Sequence, residues 1–106
     1  MTGGVSSINI DDETVIKLLE ENLVELDTGD DFTTFTVVNI TKITRQVVSG
    51  ILYKIFGDFK AGNEEAESCI VTIFLQPCNK EECEKPKIKA DCSQKTYRMK
   101  TDFSDW

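Results

Sequence analysis

The sequence predicts an α+β domain, with a single N-terminal helix packed on a four- to five-stranded antiparallel sheet. Three observations predict it. Apolar residues recur at helical spacing between Val15 and Leu26, and no later stretch repeats that pattern with comparable strength. From Phe32 onward the composition turns β-branched and aromatic, in four runs separated by turn-forming residues. The chain has 106 residues, which suits one domain with one modest core, so residues 1–106 are read as a single unit. A helix with one apolar stripe can bury it only against the inner face of such a sheet, and this gives the two layers.

The elements follow in order. Gly3-Gly4 opens the chain, and Val5 to Ile10 adds a short edge strand. Asp11 or Asp12 caps the helix, and Glu13 adds negative charge in the first turn, where the helix dipole favours it. Val15, Leu18, Leu19, Leu23 and Leu26 form the buried stripe, with Ile16 on its flank and Lys17, Glu20 and Glu21 turned away. The helix is expected to stop near Asp27, with Gly29 supplying a left-handed exit. The strands are then Phe32 to Val47, Val48 to Phe59, Glu67 to Gln76 and Lys85 to Cys92. Val38 and Ile40 share a parity that Ile43 does not, so a bulge or bend is expected between them. Asp58 to Glu67 reads as a solvated connection. The tail from Ser93 extends the last strand in part and packs its aromatic residues, Tyr97, Phe103 and Trp106, on the domain.

Gln46-Val47-Val48-Ser49-Gly50 stands where the first two long strands meet. Hairpin tips usually carry Asn, Asp or Gly and polar neighbours. Two adjacent valines there mean either that the segment is a strand centre or that the tip is a surface meant for a partner. In a meander, the connections Gln46 to Gly50 and Gln76 to Cys83 lie at the same end of the sheet, and Gly3-Gly4 reaches that end too. Three separate segments therefore converge on one edge.

Charge and composition exclude several classes. Nineteen acidic against twelve basic residues give a net charge of −7 with no basic run, so nucleic acid is not an expected partner. No apolar run approaches membrane-spanning length, and no membrane association is expected. The chain contains no histidine, which removes the Cys-His nucleophile and His-ligated metals. Asp11-Asp12 and Glu81-Glu82 are neighbours on a cap and a loop, without a pocket to shift their pKa values. The expectation is a protein with no catalysis, no cofactor and no metal.

Cys69, Cys78, Cys83 and Cys92 have eight, four and eight residues between them, which is not zinc-ribbon spacing. An even count without a metal pattern points to two disulfides and an oxidising, extracellular compartment. Asn39-Ile40-Thr41 is an N-glycosylation sequon, with Asn39 expected to face outward.

The ordered set of these features resembles the cystatins, protein inhibitors of papain-like cysteine proteases such as the cathepsins, and most closely insect sarcocystatin-like members or one domain of an insect multicystatin. Gly3-Gly4 is similar to the family's N-terminal glycine, Gln46-Val47-Val48-Ser49-Gly50 matches its Gln-X-Val-X-Gly loop, and Gln76-Pro77 stands at the start of its Pro-Trp hairpin. The resemblance implies a cystatin-like fold, secretion, and a wedge of three segments that fills a protease cleft without presenting a scissile bond. Val47 and Val48 would then supply apolar area, worth about 1.5 to 3 kcal/mol for each valine fully desolvated. Gly50 would permit close backbone approach, Gln46 would make polar contacts at the loop base, and Gly3 would let the chain turn away from the nucleophile. The resemblance also implies a Cys69–Cys92 disulfide. Cys78 replaces the hairpin tryptophan, and we expect it to pair with Cys83, closing a rigid knob that stands in for the indole. Thr28-Gly29-Asp30-Asp31 lacks the asparagine that some cystatins present to legumain, so legumain inhibition is not expected. A cystatin-fold binding or structural module that no longer inhibits is the alternative. The protein is expected to be mainly monomeric, with domain swapping through the first hairpin as a route to a dimer.

Overall fold

The computed structural model describes residues 4–29, 33–76 and 86–99. The elements run β1 (Val5–Ile8), α1 (Glu13–Leu23), β2 (Phe35–Val48), β3 (Gly50–Ala61), β4 (Glu67–Leu75), β5 (Lys87–Cys92) and β6 (Thr96–Arg98). All six strands form one sheet in sequence order, and every neighbouring pair is antiparallel. The α+β class holds, with one strand more than the highest expected number.

Asp12 is the helix cap. Its carboxylate accepts the backbone N–H of Thr14 at 3.0 Å and of Val15 at 3.2 Å, two donors that the first turn leaves without helical partners. Val15, Leu19 and Leu23 are buried as the spacing requires. Asn22 lies on the same buried face, and its amide donates to the Leu18 carbonyl at 2.8 Å, so the group is not left unsatisfied.

The helix ends at Leu23, a turn earlier than the leucine spacing predicts. Glu25 and Leu26 donate to the carbonyls of Asn22 and Leu23, three residues back, which tightens the chain out of α geometry. Leu26 then bridges Met99, and Asp27 N–H donates to the Arg98 carbonyl at 2.8 Å. Leu26 is 2% exposed, so the spacing correctly marked it as buried. Its partner is a strand rather than another helical turn. Gly29 does have a positive φ of 89°, but it sits in a turn in which its N–H bonds the Asp27 carboxylate.

The tail is the second difference. It does not prolong β5 but doubles back, with Cys92 N–H bonded to the Lys95 carbonyl, and β6 pairs with β5 from Lys89↔Arg98 to Asp91↔Thr96. The turn brings Tyr97 into the core. Its ring lies 4.9 Å from that of Phe35, which in turn stacks on Phe59 at 5.7 Å. These rings close one end of the core, while Ile43, Ile55, Val71, Ile73 and Ile88 supply the sheet's inner face beneath Leu19. Fully burying each such side chain is worth roughly 1.5 to 3 kcal/mol.

The expected irregularity in β2 is present, between Ile40 and Ile43, and a second that was not expected precedes it. Register shifts fall between Val37 and Asn39 and between Ile40 and Lys42. Gly57 faces this region, and a Cβ there would stand 2.0 Å from the Asn39 carbonyl oxygen, so the two backbones meet closer than any side chain permits. Cys69 and Cys92 are directly opposite in register, with Cα atoms 4.0 Å apart, and form a disulfide. Gly3, Pro77, Cys78, Cys83, Phe103 and Trp106 lie outside the described residues.

Candidate functional site

β2 and β3 meet in a tight reversal about Ser49, with Val48 paired to Gly50 and Val47 to Ile51. The two valines are thus the last residues of a strand, and the reversal follows immediately. The side chain of Val48 lies outside the described residues. Val47 pairs with Ile51, which pairs in turn with Leu75, so the three share the helix-side face of the sheet beyond its fully covered part. Val47 is 45% exposed although it belongs to a continuous apolar row.

Gly50 has a φ of 142°, a conformation that L side chains rarely adopt. A Cβ there would stand 2.5 Å from the Leu75 carbonyl oxygen and 3.0 Å from the Phe74 ring. Glycine is therefore required twice over, by the dihedral and by space. The consequence is mechanical: the first hairpin rests directly on the end of β4, the strand that leads into the second connection through Gln76.

β1 brings the N-terminal segment to the same edge. Val5 pairs with Gln46, so Gly4 stands level with the approach to the reversal. A Cβ on Gly4 would meet nothing within 4 Å, and the residue has no positive φ. Glycine at this position is not a demand of the fold. Gly4, the Gln46–Gly50 segment and Gln76 are accordingly ends of adjacent strands at one edge. Sequence reasoning missed two further contributors there, Val5, which is 62% exposed, and the Phe74-Leu75 pair that props the hairpin. Only the strand register reveals them, because neither belongs to a turn or a motif.

Among the described residues no group of three or more His, Cys, Asp or Glu stands together to hold a metal. The resolved pKa shift belongs to Tyr97, whose hydroxyl is pushed above its ordinary value of 10.0 by burial first and by the negative charges of Glu64 and Glu67 second. That group is in the core, at the other end of the sheet. No helix is long and apolar enough to cross a membrane among the described residues.

A single helix is laid on an antiparallel meander, with a glycine-supported apolar hairpin between two neighbouring strand ends. The chain matches the cystatin domain family over residues 3–103, and it belongs to the cystatin family, whose members are generally protease inhibitors and not enzymes. It is 33% identical over 90 residues to a cystatin-like protein of Drosophila melanogaster, an alignment that covers 84% of this chain and 70% of that protein. No solved structure gave a significant match.

Proposed function

We propose that this chain is a reversible, tight-binding inhibitor of papain-like cysteine proteases of the cathepsin L and papain type, acting outside the cell. The observation that carries the reading is the first hairpin, an apolar tip held in place by the contact between Gly50 and the end of β4. Val47 and Val48 enter the enzyme groove and Gln46 bonds polar groups at its wall. Gly3 and Gly4 let the N-terminal backbone cross the cleft closely, and Gln76, Pro77 and Cys78 fill the far side. Gly4 supports this reading because the domain itself leaves room there for a side chain. Val47 is already about half covered, so its burial adds on the order of 1 kcal/mol, and affinity rests on several such contacts made by a pre-formed surface. No catalytic group of the inhibitor is needed. The wedge excludes substrate by occupying its place.

The Cys69–Cys92 bridge agrees with an oxidising compartment. Asn39 is exposed, as a glycan acceptor must be. The test is titration of active-site-counted papain or a cathepsin L-type enzyme with the oxidised protein, beside a Val48→Asp variant. Stoichiometric loss of activity with the wild type, abolished by the variant, is the expected result. A folded, oxidised protein that leaves the enzyme fully active would overturn the reading and favour a non-inhibitory binding module, in which replacement of the family's hairpin tryptophan by Cys78 has removed the decisive anchor.

A further inference from the structure

The face of the sheet turned away from the helix carries a charge opposite to that of the chain as a whole. Thr44, Lys54, Thr72, Lys89 and Arg98 are successive register partners and form one row across β2 to β6. At the usual strand spacing the row spans about 19 Å. Lys42 and Lys87 flank it on the same face, since Lys42 pairs with Phe56 and Lys87 with Phe74. Among the described residues, Asp91 stands beside these five cations, 3.9 Å from Lys89. Farther along β3, Lys60 and Asp58 offset each other. Among the described residues this face is therefore cationic, in a chain whose net charge is −7.

Two features separate this face from an ordinary solvated surface. Lys89 and Arg98 are directly opposite each other on adjacent strands, which sets two cations side by side. Lys87, Lys89 and Arg98 are also half-buried, which restricts them more than fully solvated side chains.

The geometry points to a docking surface for a sulfated polysaccharide chain on this face. The partner must be anionic, extended and dense in charge, because it approaches a protein that is net negative and must gain more from the row than it loses to the remainder. Phe56 and Phe74 are half-buried in the surface, and the exposed apolar residues of this face, Val5 and Ile70, stand three strands apart rather than together as a membrane wedge. The Phe56 ring, the candidate stacking platform for a nucleic-acid base, has the Lys42 ammonium 5.4 Å from its centroid. The extracellular compartment of the proposed function, with which the disulfide agrees, is where sulfated polysaccharides are the abundant polyanions. The row begins three residues from the Ile51–Leu75 pair, and of the five cations Lys87 alone, level with Phe74, reaches the strand-end edge, so occupancy of the row does not depend on protease inhibition.

Heparin is the probe, titrated against the full oxidised chain over a range of salt concentrations. The wild type is expected to bind with an affinity that falls linearly on logarithmic axes as salt rises. In a Lys42→Ser/Lys54→Ser variant, affinity is expected to drop about 25-fold, roughly fivefold per cation, and the salt slope to fall by about two. Lys17→Ser, which removes an exposed cation from the helix, should change affinity by less than about twofold. Absence of heparin binding at low salt overturns the proposal, as does an equal loss in the Lys17 variant. Binding to phosphatidylserine vesicles as tight as binding to heparin would also overturn it, in favour of a lipid surface.

Discussion

Removing the Cys69–Cys92 bridge by replacing both residues with alanine should separate the stability of this fold from the performance of its binding edge. The bridge spans a sequence separation of 23, and the chain-entropy relation gives a loss of about 3 kcal/mol when such a loop is opened. For a chain of 106 residues the unfolding entropy near the midpoint is about 0.22 kcal/mol/K, so Tm should fall by about 14 °C. Cys69 sits six residues before Leu75 along β4, roughly 20 Å at strand rise, so the hairpin end keeps its support while the domain remains folded. The assay is thermal unfolding of wild type and variant under oxidising conditions, with protease titration well below both midpoints. A large drop in Tm with unchanged inhibition is the expected pair of results. A drop of less than about 4 °C would refute the entropic argument. Inhibition lost by a variant that is still folded would refute the claim that the two ends of the sheet are independent.

Gly50→Ala should cost about 1 to 3 kcal/mol of stability from backbone strain, and on the proposed function it should weaken inhibition at least tenfold; Gly4→Ala, with open space around it, should leave the urea midpoint unchanged. For Tyr97 the sign follows from its raised pKa: above pH 10.0 the unfolded chain releases a proton that the folded chain retains, so stability is fully present below that pH and declines as pH rises toward the folded value. Tyr97→Phe should remove this decline, and parallel urea curves for the two proteins above pH 10.0 would show the argument to be wrong. Peptide mass mapping under non-reducing conditions should find Cys78 linked to Cys83, and a Cys69–Cys78 link would contradict both expected bridges. Size-exclusion chromatography after mild heating should reveal a dimer if opening the first hairpin relieves the turn at Gly50; a strictly monomeric profile counts against swapping.

The helix, the β-rich remainder and the edge where their ends meet were legible because each rests on a local signal. Val15, Leu19 and Leu23 keep helical spacing, Asp12 is a capping residue before them, and the strands are built from β-branched runs. Leu26 shows the limit of that reasoning. Its spacing reports burial correctly, but whether a buried leucine continues a helix or meets a strand is decided by Met99, more than seventy residues away. The end of the chain shows the same limit: Tyr97 packs on the domain as expected, but three residues, Ser93 to Lys95, turn the chain back, and nothing in their identity outweighs the alternation that precedes them. At the binding edge, the Gln46–Gly50 segment is visible as a motif. The support beneath it is not, because the contact of Gly50 with Leu75 depends on the register of two strands. The cationic row was hidden for a related reason. Lys54, Lys89 and Arg98 are far apart in sequence, and only cross-strand alignment assembles them.

The two bulges in β2 bear on solubility. β1 pairs only with Ile43 to Gln46, so among the described residues the stretch from Phe35 to Lys42 has a ladder partner on one side alone. A flat open edge of that length, with Val38 more than half exposed, would be a template for another chain to add a strand and begin aggregation. Both register shifts fall within this uncovered stretch, where each breaks the regular series of donors and acceptors that an incoming strand would need. Straightening β2 by deleting Val38 or Thr41 would thus make a more regular sheet and a protein less able to remain in solution.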